Sequence, residues 1–125
     1  MDRAAVDAWV GAYVRAWRTP GTEHLTQIFT PDVVYLVSPW RPPLEGIAAV
    51  GELWDAGRDG PDEAFTFSSE IVAIDGDTAV VRAEVEYSGA DTSRWRDLWV
   101  LRFAEDGRCR FYEEWPFAPT QRDGH

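Results

Sequence analysis

Two carboxylates interrupt apolar faces in the last third of the chain. Trp95, Asp97, Trp99, Leu101 and Phe103 alternate along one run, and Cys109, Phe111, Glu113, Trp115 and Phe117 along the next. Alternate side chains of a strand point to one side of a sheet. A hairpin turning at Glu105-Asp106-Gly107 therefore puts both sets on its inner face and sets Asp97 roughly diagonal to Glu113. Carboxyls walled in by aromatic rings lose hydration, which disfavours the charged form and moves a pKa toward neutrality, where a general acid or base works. On this reading Asp97 is the catalytic base and Glu113 tunes it. The plainer alternative is that one acid pairs with an arginine or sits solvated at a cavity rim.

Tyr13, on a helix stripe, and Tyr87, on the same sheet face, are candidate hydrogen-bond donors to a developing oxyanion, with an ordinary core tyrosine as the competing account. Trp40, Trp54, Trp99 and Trp115 are the expected apolar walls of a ligand pocket. Trp40 and Arg41 also suit a lid or a cation-π contact at its mouth.

What is missing narrows the chemistry. All twelve cations are arginine, and the chain has no lysine and no asparagine. Schiff-base chemistry and phosphate-loop lysines are therefore excluded. Cys109 is the single cysteine, and His24 and His125 are peripheral, so neither an internal disulfide nor a metal-ligand cluster is expected. Ser69 has no histidine partner in any register. No cofactor is called for. A net charge of -10 opposes nucleic acid and anionic membrane surfaces as partners. The start Met1-Asp2-Arg3 lacks the apolar stretch of a signal peptide, which predicts a cytoplasmic protein with a reduced thiol.

The elements that must position these residues follow from periodicity. Val6, Trp9, Val10, Tyr13, Val14 and Trp17 recur at helical spacing, and Thr19-Pro20-Gly21 ends that helix. Thr22 is placed to cap a short second helix carrying Leu25, Ile28 and Phe29, before a β-branched strand over Val33 to Val37. Pro39, Pro42 and Pro43 make the next stretch a loop with at most a short edge strand. A third helix carries Ile47, Val50, Leu53 and Trp54 and ends within Gly57 to Pro61.

Four strands complete the chain. In the first hairpin Ile74 faces Thr78 across a three-residue loop, Phe65, Phe67, Ile71 and Ala73 face inward, and Glu70 lies opposite Arg82. In the second, regular alternation sets Arg102 against Arg110, an unfavourable pair unless Glu84 or Glu86 lies between them. The outward set Val72, Val80, Leu98, Val100 and Tyr112 is too apolar for a wholly solvated face and predicts a homodimer through the convex sheet. The fold class is α+β: a cone-shaped curved antiparallel sheet with three helices from the N-terminal half packed on its concave face. With 125 residues, one domain is expected over 1–125, its core about 3–117 and its tail 118–125.

Tyr13-Val14-Arg15-Ala16-Trp17, Phe29-Thr30-Pro31-Asp32-Val33-Val34-Tyr35, and Asp97 to Phe103 followed by Asp106-Gly107-Arg108, together with the element order, resemble the nuclear-transport-factor-2-like superfamily of SnoaL-like domains and ketosteroid isomerase. The resemblance implies a cone enclosing an apolar pocket, in a family of isomerases, cyclases, dehydratases and epoxide hydrolases alongside members with no reaction. It puts Tyr13 where ketosteroid isomerase has its oxyanion-hole tyrosine. The isomerase's base falls near Val37 or Ser38, neither of which takes a proton at neutral pH, and its second oxyanion donor aligns with Trp99. The expected function is binding of a small, largely apolar molecule, with cofactor-independent acid/base chemistry of the isomerase, cyclase or epoxide-hydrolase type. The alternative is a non-catalytic binding or dimerisation domain in which the same residues are core.

Overall fold

A computed structural model describes residues 1–58 and 64–124. Part of the expected end of the third helix, Gly57 to Pro61, and the peripheral His125 lie outside the described residues. Asp2 caps helix α1 (Arg3–Arg18), its carboxylate accepting from the Ala5 amide at 2.8 Å. The apolar stripe of α1 buries Val6, Trp9 and Val10. Helix α2 (Leu25–Ile28) is one turn long and buries Leu25 and Ile28. It starts at His24 without a side-chain cap, and Thr22 contributes only its carbonyl, to the Leu25 amide. Strand β1 (Phe29–Leu36) then begins four residues earlier than the β-branched run suggests.

After β1 the proline-rich loop leads to a two-residue edge strand, β2 (Leu44–Glu45). Gly46, at φ 89°, turns the chain from β2 into helix α3 (Ile47–Gly57) in a conformation that a side chain would strain, while its amide bonds to Val33 O at 2.8 Å. Strands β3 (Phe65–Asp75), β4 (Thr78–Tyr87), β5 (Arg94–Phe103) and β6 (Cys109–Phe117) form an antiparallel meander. The sheet order is β2-β1-β6-β5-β4-β3, and β1 runs parallel to β6, so the sheet is mixed rather than wholly antiparallel. Buried residues from all three helices, among them Val6, Trp9, Leu25 and Trp54, cluster with inward-facing residues of the curved sheet.

Two β-bulges correct the expected registers. In the β3–β4 hairpin Glu70 does pair with Arg82, and the two form an ion pair. An extra residue between Ile71 and Ala73 then shifts the ladder, so Asp75 pairs with Thr78 and Ile74 rather than Ala73 packs against the core. In β5–β6, Phe103 pairs with Cys109 but Arg102 pairs with Phe111. Arg110 is the extra residue. Beyond it every β6 side chain takes the face opposite to that of regular alternation: Tyr112 is fully buried, and Phe111, Glu113 and Trp115 turn outward. The expected Arg102–Arg110 clash does not arise. Arg102 lies over the Phe111 ring, and Arg110 donates to Asp77 Oδ2 at 2.7 Å.

Candidate active site

The helices and the concave face of the sheet enclose a cavity of about 220 Å³. Trp17, Trp54, Phe65, Phe67 and Trp99 are aromatic walls, and Tyr13, Tyr35, Asp97 and Glu114 bring polar atoms to it. Strand β5 turns Asp97 inward, where it is 7% exposed. Strand β6 presents Glu114 opposite Trp99, hence diagonal to Asp97. The side chains of Asp97 and Glu114 are hydrogen-bonded to each other. Two carboxylates offer acceptors alone, so this contact needs a proton between them.

Burial pushes the Glu114 pKa well above the usual carboxylate range, with Asp97 adding to the rise and the Tyr112 hydroxyl opposing it. Burial also raises Asp97, against hydrogen bonding to Glu114 and to Trp99. Glu114 keeps some surface exposure as a residue, but its carboxyl is enclosed by Tyr112 and Asp97. The pair titrates as a unit, with the proton favoured on Glu114.

Glu114 accepts from a phenol, Tyr112, that packs among other polar aromatic side chains. Trp54 Nε1 donates to Tyr35 Oη at 3.3 Å, Tyr35 stacks on Tyr112 with ring centroids 4.3 Å apart, and the Tyr13 and Tyr112 hydroxyls lie 3.4 Å apart. Tyr112 then donates to Glu114 Oε1 at 3.0 Å. Burial, the main cause in each case, raises the pKa of Tyr13, Tyr35 and Tyr112, so all three phenols stay neutral and act as hydrogen bonders.

Of the residues singled out in the sequence, Asp97, Tyr13, Tyr87, Trp54 and Trp99 line this cavity. Glu113 does not: it faces outward, and its Oε2 accepts from Trp115 Nε1 at 2.6 Å. Trp115, 39% exposed, shares that outer face and is no wall of the cavity. The Arg110 bulge is the reason for both. Trp40 is 97% exposed in the proline-rich turn, where the missing amides of Pro39, Pro42 and Pro43 leave no ladder to hold it against the sheet. The sequence singles out neither Glu114 nor Tyr35 for the site, and it sets Tyr112 on the outer face, whereas Tyr112 is fully buried on the inner one. The one signal that pointed to them was the like-charge Arg102–Arg110 opposition, which a slip in β6 relieves.

A larger depression, about 400 Å³, is lined by solvated Thr66, Ser68, Glu84, Glu86, Arg94 and Arg96 among others. It holds no enclosed titratable group, so the smaller cavity is the candidate site. Among the described residues no group of three His, Cys, Asp or Glu side chains is arranged to hold a metal ion. Among the described residues no helix is long and apolar enough to cross a membrane.

An α+β cone whose apolar cavity ends in titratable groups defines a class of small domains built around one enclosed site. The SnoaL-like domain model matches residues 10–112, and the chain belongs to that family. No curated protein matches it in sequence. Among solved structures, a proposed polyketide cyclase from Sinorhizobium meliloti is 25% identical, with a TM-score of 0.65 over 88% of this chain and 97% of that one. The epoxide hydrolase/cyclase-like enzyme SalBIII, of pyran ring formation in the polyether salinomycin, is 17% identical with a TM-score of 0.72 over 93% of each chain. A ketosteroid isomerase-like protein from Erwinia carotovora is 22% identical with a TM-score of 0.63, covering 93% of this chain and 96% of that one. The last two share the fold.

Proposed function

We propose that the chain is a cofactor-independent acid/base enzyme acting on a small, largely apolar, oxygen-bearing molecule, of the cyclase, isomerase or epoxide-opening type. The observation that carries this reading is the Asp97–Glu114 contact inside an aromatic cavity. Asp97 is the base and takes a proton from the substrate. Glu114, neutral and hydrogen-bonded by Tyr112, supplies a proton to the oxygen on which charge develops, and Tyr13 and Tyr87 assist as donors. One site thus holds an acid and a base at the same pH, because two touching carboxyls cannot both ionise. The polyketide cyclase and epoxide hydrolase/cyclase descriptions of its structural relatives agree with this class of chemistry.

The test is turnover of a panel of apolar epoxides, enones and hydroxy-epoxides, followed by Asp97→Asn and Glu114→Gln. Each substitution should lower kcat by about 10²–10⁴-fold, and Glu113→Gln should leave it within about twofold. Unchanged turnover in Asp97→Asn removes it as the base. A cavity that takes up apolar probes without converting any panel member favours the non-catalytic binding alternative.

The outer face supports a second proposal, association with another copy of the chain. Leu98 and Trp115 pair across β5–β6 and are both exposed, as is Phe117, and an apolar cluster on a sheet face is commonly covered. Sedimentation of Trp115→Glu against the parent chain tests it: a dimer that becomes a monomer is expected. We also take the chain to be cytoplasmic, a reading supported by its single, unpaired Cys109.

A further inference from the structure

Helix α3 packs Val50, Leu53 and Trp54 against the core, and the next position on that stripe, three and four residues further on, is Gly57. An apolar side chain there would extend the core. The backbone does not call for glycine. Among the described residues the glycines with positive φ are Gly21, Gly46, Gly76 and Gly107, and Gly57 lies within the helix instead. A helical glycine also lowers stability relative to alanine. Nor is the place crowded, since a Cβ at position 57 would lie 3.8 Å from Trp17 Cη2, an ordinary contact.

The vacant position opens on the cavity. Gly57, Leu53, Trp54 and Trp17 line it, as do Asp97 and Glu114. Among the described lining residues Gly57 alone is exposed, and the others are buried or half-buried. The cavity therefore runs from the enclosed acids to solvent past the Cα of Gly57, with the edge of the Trp17 indole across the opening. Arg58 holds that edge in place. Its guanidinium lies 5.5 Å and 5.4 Å from the ring centroids of Trp17 and Trp54, and it donates to Ala16 O at 3.0 Å and to Gly21 O.

We infer that Gly57 is the portal of the cavity and a specificity-determining residue. The substrates it admits are elongated apolar molecules, with the oxygen-bearing end beside Asp97 and Glu114 and the other end passing out between Gly57 and Trp17. The inference rests on the acid/base reading of the same cavity and adds the shape of the substrate. A site closed on every side would accept only what fits in about 220 Å³. One that opens at Gly57 sets no such limit at that end.

Calorimetric binding of 4-ethylphenol, 4-butylphenol and 4-hexylphenol at neutral pH tests this. On the parent chain affinity should rise by about 10-fold or more from ethyl to hexyl, because the added methylenes run along Trp17 and meet no closed wall. Gly57→Leu fills the opening: 4-ethylphenol should stay within about threefold of its parent affinity, and 4-hexylphenol should lose at least about 10-fold. Gly57→Met serves if Gly57→Leu does not fold. Gly57→Ala adds one methyl, and should raise the denaturant midpoint while keeping the rise along the series. A midpoint that falls in Gly57→Ala shows the glycine serving the backbone and overturns the portal. So does a parent affinity that is flat along the series, or a Gly57→Leu chain in which all three probes change equally or not at all. Each of these leaves the acid/base proposal standing. Binding of none of the three probes overturns both.

Discussion

Glu114 lies opposite Trp99 in the β5–β6 ladder, one step along the strand from Asp97, so the acids meet on the inner face while Glu113 points the other way to Trp115. This diagonal arises from a single extra residue, Arg110, and it decides which of two adjacent glutamates is enclosed. Several measurable properties depend on it.

The pH dependence of stability has two opposed parts. Glu114 and Asp97 have raised pKa values in the fold. Their contribution is fully present below the unfolded carboxylate range, near about 4, and is lost as pH rises through the raised values. Asp77 and Asp106 are lowered, by the Arg110 hydrogen bond and by the Arg108 amide respectively. They contribute above the unfolded range and lose that contribution as pH falls through their folded values. Urea unfolding across pH should therefore show a decline toward alkaline pH that Glu114→Gln flattens, while Asp77→Asn flattens only the acid side. A Glu114→Gln profile parallel to that of the parent chain contradicts the enclosed pair.

Tyr112 is the donor that opposes the rise at Glu114. Tyr112→Phe keeps the ring stacked on Tyr35 and removes the hydroxyl, which leaves Glu114 short of a partner. The expected cost is about 1–3 kcal/mol, with the Glu114 titration moving further up. Carboxyl-carbon NMR titration of the two chains reads that shift directly; a Glu114 pKa that stays put or falls argues against the donor role.

The tryptophans separate by face. Trp99→Ala should destabilise by about 3–5 kcal/mol, since the indole is 1% exposed and touches Tyr13, Phe67 and Tyr112. Trp40→Ala, at 97% exposure, should stay within about 0.5 kcal/mol. Denaturant midpoints of the two variants give the comparison, and a large loss at Trp40 contradicts its placement in the loop.

Cys109 is fully buried, its thiol donates to Phe111 O at 3.0 Å, and burial pushes its pKa up to about 12. Almost no thiolate exists at neutral pH, so the native chain should resist alkylation while the urea-unfolded chain reacts at the ordinary rate. Rapid modification of the folded chain at pH 8 is the contrary result.

Much of the architecture was legible because it rests on local period. The α1 stripe, the four-strand meander, the Glu70–Arg82 pair and the inward position of Asp97 all follow from alternation or helical spacing near each residue. The start of α2 at His24, the early start of β1 and the two bulges were not legible, since each depends on partners distant in the chain. Tyr35 read only as a β-branched neighbour in a strand. It became part of a site when β1 aligned parallel to β6 with Tyr35 beside Tyr112.

Composition by itself determined which chemistry is open. With no lysine and one cysteine, proton transfer in the cavity falls to carboxylates, phenols or water. Alternation also determined that an acid would interrupt the inner face of β5. Only the tertiary structure decided which acid meets it. Strand period fixes the order of side chains locally, but parity beyond a bulge is set by the long-range ladders. Here Phe29 and Val34 of β1 and Phe103 of β5 hold Cys109 and Phe111 in register, force Arg110 out to Asp77, and turn Tyr112 and Glu114 into the cavity.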